Sequence, residues 1–353
     1  MTKAKRLLPI LGITMGDPAG IGPEVIAKVW MVRAVHRQCR PMVIGSAPVM
    51  ARTVNALKLP LTVTAVKAHE SASWRPRIMP VLDPLDKPLP DFRVGTVGRE
   101  TGAASVAFIK KAAELAESGR IGAMVTAPIN KEAMNLAGYA YPGHTELLAD
   151  LTKSHEVGMM ILGGPLKIMF VTTHVAIRDL SPRLTVDGIE RAIRLADRAL
   201  REFFGIRRPR IGVAAFNPHA GEAGLFGDEE QTVIGPAAAA ARQQGIHASD
   251  PLPADTLFGK AAKGAYDGVV AMYHDQGLIP LKLVAFGTCV NLTVGIPIIR
   301  TSVDHGTAFD IAGKGVADPG SLLEAIALAA RLARERQKRS RSSKSRQGGR
   351  TIA

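Results

Sequence analysis

Three histidines stand in equivalent places along the chain. His174 ends the segment IMFVTTH, His219 ends GVAAFNPH and His274 follows GVVAMY, each a short apolar run that turns polar at its end. Imidazole is the commonest side-chain ligand of transition metals, and a site with three of them leaves coordination positions open for substrate. Taken singly, each has a plain alternative as a loop residue bonded to a backbone carbonyl. Their shared placement is what favours a metal. A fourth run of this kind, AMVTAP, leads into Ile129-Asn130-Lys131.

Such positions converge only if the runs are strands, because open α/β sheets bind ligands beyond the carboxyl ends of their strands. Strands are expected at 9–13, 42–45, 124–127, 158–162, 167–171, 211–216, 269–272 and 290–294. Many are apolar at successive positions, as strands covered on both faces are. Helices lie between them. Gly22-Pro23-Glu24 opens one with proline at the first helical position and a carboxylate in the first turn. Another, expected over 185–204, carries Ile189, Ala192, Ile193, Ala196, Ala199, Leu200 and Phe203 on one stripe and stops at Gly205. The alternation predicts an α/β fold: two α/β/α subdomains with mainly parallel sheets and a cleft between them. No internal repeat is present.

Composition narrows the class. At 353 residues and 46% hydrophobic, the chain has material for one large core or two smaller ones. Cys39 and Cys289 are the only cysteines, which argues against a disulfide framework and for a reducing compartment. The start, MTKAKRLLPILGITMG, is too short in its apolar part and too directly continued to read as a signal peptide, and no stretch matches a membrane span. A cytoplasmic protein is expected. The net charge of +14 is concentrated: nine Lys and Arg against one Glu lie from Arg331 onward, leaving +6 for the first 330 residues. The Ser- and Gly-rich stretch 333–353 reads as a solvated, disordered basic tail, so nucleic acid is not an expected partner.

Familiar nucleotide motifs are missing. The glycines of GDPAGIGPE do not have G-x-G-x-x-G spacing. In HGTAFDIAGKG six residues separate Gly306 from Gly313, with no Ser or Thr after Lys314. No G-x-S-x-G elbow is present for a serine hydrolase.

Taken together, GDPAGIGPE (16–24), PGHTE (142–146), TTH (172–174), NPHAGE (217–222), PLPADTLF (251–258), YHDQG (273–277) and RTSVDHGTAFDIAGKG (300–315) resemble the 4-hydroxythreonine-4-phosphate dehydrogenase family of pyridoxal phosphate biosynthesis. The resemblance covers residues from about 10 to 328. The last motif also resembles the adenosine-binding loop of isocitrate and isopropylmalate dehydrogenases, which bind a dinucleotide without the Rossmann fingerprint. The fold implied is of that kind, with 1–130 plus 282–332 on the cofactor side and 131–281 forming the dimerisation and metal-site domain. By position, His174, His219 and His274 correspond to the family's ligands of a divalent metal (zinc, magnesium or cobalt), in a site shared within a homodimer. His144, Thr145, Lys282, Asn291 and Arg300 correspond to substrate-binding residues. Forked and point cations suit a phosphorylated, carboxylated substrate. His305, Gly306, Thr307, Ala308, Asp310 and Ile311 fall in the adenosine-loop-like segment. A carboxylate at Asp310 facing the ribose would favour NAD over NADP.

The reaction implied is NAD-dependent oxidation of a secondary alcohol, followed by loss of carbon dioxide from the resulting β-keto acid. Lys131 and Asp255 are the candidates for the base that takes the hydroxyl proton. The nearest alternative is a paralogue acting on 4-phospho-D-threonate or 4-phospho-D-erythronate. Behind it come an aromatic cis-diol dicarboxylate dehydrogenase and, outside the class, a non-redox metal hydrolase or aldolase. One departure from the family pattern is Ala223 in NPHAGEAG, where glycine is usual.

Overall fold

The computed structural model describes residues 8–348, with side chains as far as 339. The chain forms two compact units, one built from the segment up to Ser154 and again from Ile296 onward, the other from His155–Gly295. The first unit opens with β1 (Ile10–Thr14), α1 (Gly22–Trp30), α2 (Arg33–Gln38), β2 (Arg40–Ile44) and α3 (Ala47–Ala56). It continues through β3 (Thr62–Val66), β4 (Ile78–Leu82), α4 (Arg99–Glu117), β5 (Ala123–Thr126), α5 (Lys131–Leu136) and α6 (His144–Leu151). The second unit contains β6 (Gly158–Gly163), β7 (Leu166–Phe170), α7 (Val186–Glu202), β8 (Arg210–Ala214) and α8 (Gly235–Gln243). Then come β9 (His247–Leu252), α9 (Ala254–Ala262), β10 (Gly268–Ala271), α10 (His274–Ala285) and β11 (Val290–Val294). The chain returns to the first unit as β12 (Arg300–Val303) and α11 (Gly320–Gly348).

In the first unit the strands run in the order β3-β4-β2-β1-β5-β12, all parallel. Leu11, Ile13, Met42, Ile44, Met124 and Val125 are fully buried, the continuous burial of strands covered on both faces. In the second unit the order is β11-β6-β7-β10-β8-β9, parallel from β7 to β9 and antiparallel across β11, β6 and β7. Ile168, Phe170, Val269, Leu257 and Leu281 build its core. The eight expected strands are present with ends shifted by a residue or two. Four others were not expected. β3 is a largely exposed edge, β4 contains Pro80, β9 is polar and contains Pro251, and β12 reads RTSV. β3, β9 and β12 lack an apolar run, and in β4 (IMPVL) the run is interrupted by Pro80, a residue that reads against a strand.

The expected long helix is α7. Thr185 caps it by accepting from Gly188 N at 3.1 Å, and Ile189, Ile193, Ala196 and Leu200 form its buried face.

The division between units falls at 154/155 and 295/296 rather than at 130/131 and 281/282. Packing explains both shifts. A Cβ at Gly102 would fall 2.1 Å from Ala133 O, so α4 and α5 approach closely and carry 131–151 into the first unit. β11 pairs with β6, Asn291 opposite Ile161, and this keeps the segment after α10 in the second. The tail expectation is corrected as well. Residues 333–348 continue α11 as helix; Leu322, Ile326, Ala329 and Leu332 anchor its start, and good helix formers follow from Ala333 to Arg339. Residues 349–353 lie outside the described residues. Both cysteines are buried and neither is in a disulfide, and among the described residues no helix is long and apolar enough to cross a membrane.

Candidate functional site

β7, β10 and β8 are adjacent and parallel, so the segments holding His174, His274 and His219 leave the same end of the second unit's sheet. α10 begins at His274 and can press onto the sheet because residue 277 is glycine: a Cβ there would fall 2.6 Å from the Phe170 ring. The His274 ring lies 6.4 Å from Phe170 and 5.8 Å from the His174 ring. Its Nδ1 is 2.6 Å from Asp275 Oδ1. A carboxylate accepting from Nδ1–H fixes the tautomer that carries its lone pair on Nε2, the arrangement of a metal-ligating imidazole. Gln276 stitches this turn to β8, accepting from Met272 N at 2.7 Å and donating to Ala215 O at 2.6 Å.

His219 sits differently. Residues 219–223 form a left-handed run with φ between 43° and 78°, and the His219 ring lies 6.4 Å from Phe226. The run is held from below. Glu230 Oε1 accepts from Phe216 N at 2.7 Å and Asn217 N at 2.8 Å, and Asn217 Nδ2 donates to Glu229 Oε2 at 2.6 Å and Glu230 Oε2 at 3.0 Å. The Ser181 hydroxyl, then Asn217, hold the Glu229 carboxyl below its ordinary range. In donor chemistry His174 and His274 fit a divalent metal. His219 does not join them in this conformation, and among the described residues no three His, Cys, Asp or Glu groups stand together as a ligand set. Ala223 occupies a left-handed position at φ 56°, where a Cβ costs roughly 1–2 kcal/mol. Ala223→Gly is therefore expected to raise unfolding stability by about 1 kcal/mol in urea titration; a loss of stability would refute the strain assignment.

Of the other residues singled out from sequence, Lys282 is half-buried on α10, and Asn291 on β11 keeps a buried Oδ1 without a partner. Asp255 is exposed in the first turn of α9, its Oδ1 accepting from Thr256 N at 2.9 Å.

The first unit gathers a second group. β12 lies beside β5, Arg300 opposite Met124 and Ser302 opposite Thr126. Arg300 is 2% exposed. Its Nε and Nη2 donate to Thr126 Oγ1 at 3.1 and 2.7 Å. Burial pushes the guanidinium down to about 9, with Glu146 acting in the opposite direction, so it remains a cation at neutral pH. His144 opens α6 and is half-buried, but its Nε2 is closed off from solvent without a partner. Burial, then Arg300 and Lys131, hold this imidazole well below the ordinary value of 6.5. Lys131 is exposed at the start of α5, where Asn130 caps the helix by accepting from Ala133 N at 2.8 Å. Thr145 is half-buried beside His144. Below pH 6.5 the unfolded chain takes up a proton that folded His144 refuses, so stability falls as pH drops from that value. His144→Asn is expected to flatten the decline in Tm between about pH 6.5 and 5; an unchanged slope would show that other groups carry it.

The segments GDPAGIGPE and DHGTAFDIAGKG pack together in this unit. Ile21 N donates to Thr307 O at 3.0 Å, and a Cβ at Gly20 would meet Thr307 Cβ at 3.0 Å. Glu24 accepts from Gly315 N at 3.1 Å and Ala317 N at 2.7 Å. His305, Gly306 and Asp310 are exposed, while Thr307, Ala308 and Ile311 are half-buried. A cavity of about 400 Å³ opens beside this loop, with Gly20, Arg52, Phe92, Val94, Ala312 and Gly313 among its lining. Its apolar wall and glycine rim fit one end of a dinucleotide.

Sequence reasoning did not identify Thr126, Glu146, Glu230 or Gln276, nor Thr14 and Asp17, each of which has a buried oxygen without a partner. Burial raises the Asp17 carboxyl. Glu230 was visible only as one acid of LFGDEE, and nothing in that string distinguishes a buried carboxylate from a solvated one.

Parallel α/β units with ionisable side chains collected at their strand ends define a ligand-binding α/β protein of the doubly wound type. The family model described as "Pyridoxal phosphate biosynthetic protein PdxA" matches residues 37–329, and the chain belongs to this family. It is 47% identical over 322 residues to the 4-hydroxythreonine-4-phosphate dehydrogenase of Desulfosudis oleivorans, covering 91% of this chain and 95% of that protein. It is also 47% identical over 337 residues to the D-threonate 4-phosphate dehydrogenase of Cupriavidus necator, covering 93% and 98%. The solved 4-hydroxythreonine-4-phosphate dehydrogenase of Klebsiella pneumoniae superposes with a TM-score of 0.85 at 45% identity, covering 92% of this chain and 99% of that one.

Proposed function

We propose that the protein is an NAD-dependent, divalent-metal-assisted dehydrogenase. It would convert 4-phosphohydroxy-L-threonine to 3-amino-2-oxopropyl phosphate in pyridoxal 5'-phosphate biosynthesis. The observation that carries the reading is the buried Arg300 cation grouped with His144 and Lys131. A receptor of that charge suits a phosphorylated acid. His174 and His274 are the residues proposed to hold the metal, with His219 as the third candidate. The chemistry supplied by the bound groups is Lewis-acid acidification of the alcohol by the metal and hydride acceptance by the nicotinamide.

The chain's own residues would do the rest. Arg300, His144, Thr145, Lys282 and Asn291 bind and orient the substrate. Lys131 or Asp255 would take the hydroxyl proton as the alcohol is oxidised to a ketone. The β-keto acid would then lose carbon dioxide, and the carbon that carried the carboxylate takes up a proton to give the amino ketone. Asp310 and the backbone of residues 305–311 would receive the adenosine end, with Asp310 favouring NAD. Homodimerisation has support from exposed Ile279, Leu283, Val284 and Phe286 on and just after α10, around Lys282, since such a patch on a monomer marks an interface.

The similarity to the Cupriavidus enzyme keeps a second substrate in view, 4-phospho-D-threonate. NADH formation at 340 nm with 4-phosphohydroxy-L-threonine and 4-phospho-D-threonate side by side, each with zinc, magnesium and cobalt, decides between them. Preference for the sugar acid moves the enzyme to sugar-acid catabolism, and no turnover of either removes the substrate class.

A further inference from the structure

We propose that the first unit holds a second small-molecule site, at the amino ends of its strands, for a planar aromatic ring that carries an anionic group. A cavity of about 250 Å³ opens there, with Trp30, His36, Arg40, Ser73, Trp74 and Arg75 among its lining. Arg40 is the first residue of β2 and stands opposite Ile10, the first of β1. Ile78, also in the lining, is the first residue of β4. These strands are parallel, so GDPAGIGPE after β1 and Lys131 after β5 lie at the other end of the sheet. Open α/β sheets take their reacting ligand at the carboxyl ends of the strands. The cavity is therefore apart from the site described above.

Its walls are fixed and their charge is one-sided. Trp30 is 2% exposed, and its Nε1 donates to Ile78 O at 3.0 Å. The His36 ring makes a T-shaped contact with it at 5.6 Å, and His36 Nε2 donates to Trp30 O at 2.8 Å. Trp74 and Arg75 come from a tied-down turn. Ile78 N donates to Arg75 O at 3.2 Å across Pro76, and Thr62 N donates to Arg77 O at 2.8 Å. Trp74 is half-buried, so part of its ring area remains for a ligand. Arg40 is half-buried and Arg75 exposed, and neither guanidinium has a hydrogen-bond or ion-pair partner among the described residues. No Asp or Glu among the described residues lines the cavity. Two such cations select an anion, and a guanidinium fork receives phosphate or carboxylate with two parallel bonds. Indole rings beside them select a flat ring. The volume lies just under the usual range for drug-sized ligands, which limits the guest to a single ring with one such group.

The test uses the full-length protein with phenyl phosphate and benzoate as probes. Trp30 and Trp74 are the only tryptophans of the chain, so intrinsic fluorescence reads this cavity directly. A saturable change is expected, and the probe that binds more tightly identifies the anionic group. Inorganic phosphate and benzyl alcohol each lack half of the ligand and should bind about tenfold more weakly or worse. Arg40→Gln and Arg75→Gln should each weaken binding about tenfold with Tm unchanged. Trp74→Phe should keep the affinity and lose part of the signal, whereas Trp74→Ala should cost about tenfold by calorimetry. If W74A does not melt cooperatively, the two arginine variants decide. Arg300→Gln should leave the fluorescence change intact; its loss in a folded R300Q would place the probe in the first site and overturn the proposal. So would the absence of a saturable change with either probe, inorganic phosphate binding as tightly as phenyl phosphate, or wild-type affinity in the R40Q/R75Q double variant.

Discussion

Replacing His274 with alanine is expected to lower kcat/KM by on the order of 10³ while the protein stays folded. The ring stands at the first position of α10, 5.8 Å from His174, and Asp275 holds its Nδ1 at 2.6 Å. If the two imidazoles hold a divalent metal, H274A removes half of the pair and bound metal falls together with activity. The Asp275→Asn variant should give a graded version, a loss of roughly 10–100-fold, because the carboxylate acts by orienting the ring. Mass-spectrometric metal content measured beside the 340 nm assay checks both. Activity lost with metal content unchanged would assign His274 to substrate or proton handling instead. The half-exposed ring lies at a helix start, so truncation should cost little stability and the activity readout stays clean.

The second large effect concerns Arg300, where stability and function should move in opposite directions. Burying a guanidinium costs several kcal/mol unless a carboxylate compensates it, and replacing buried charges with apolar groups of similar volume is often neutral or stabilising. Thr126 Oγ1 accepts from Nε and Nη2 at 3.1 and 2.7 Å, and burial pushes the guanidinium down to about 9 against the opposing effect of Glu146. Arg300→Met is therefore expected to leave Tm unchanged or higher, while kcat/KM for a phosphorylated acid drops by about 10³ or more. Thermal denaturation and steady-state kinetics on one preparation test this. A sharp fall in Tm would mean that the cation is compensated structurally and that its position serves the fold before the substrate.

Local signals are legible in the amino-acid sequence. The apolar runs at 124–127, 211–216 and 269–272 form β5, β8 and β10 because strands covered on both faces need continuous hydrophobicity, whatever their partners. The stripe Ile189-Ile193-Ala196-Leu200 forms the buried face of α7 for the equivalent reason at a period of 3.6. The placement of three histidines after three such runs is equally local, and the parallel order β7-β10-β8 puts all three at one end of a sheet.

Whatever depends on register, crossover or the direction of a side chain is settled only in three dimensions. Lys131 and His144 share a unit with Arg300 because a glycine at 102 lets α5 approach α4, and no spacing announces that contact. β12 is hidden because RTSV is a polar string, and it is polar because it carries Arg300 to Thr126 across a strand pair 174 residues apart in sequence. His219 shows the same limit from the other side. Its position is plain, but Glu230 and Asn217 hold a left-handed turn that sets the ring beside Phe226, apart from His174 and His274. Composition and periodicity decide which segments become strands and helices, since those follow from the hydrophobicity of a few neighbours. Which charges meet is decided by packing between segments far apart in the chain.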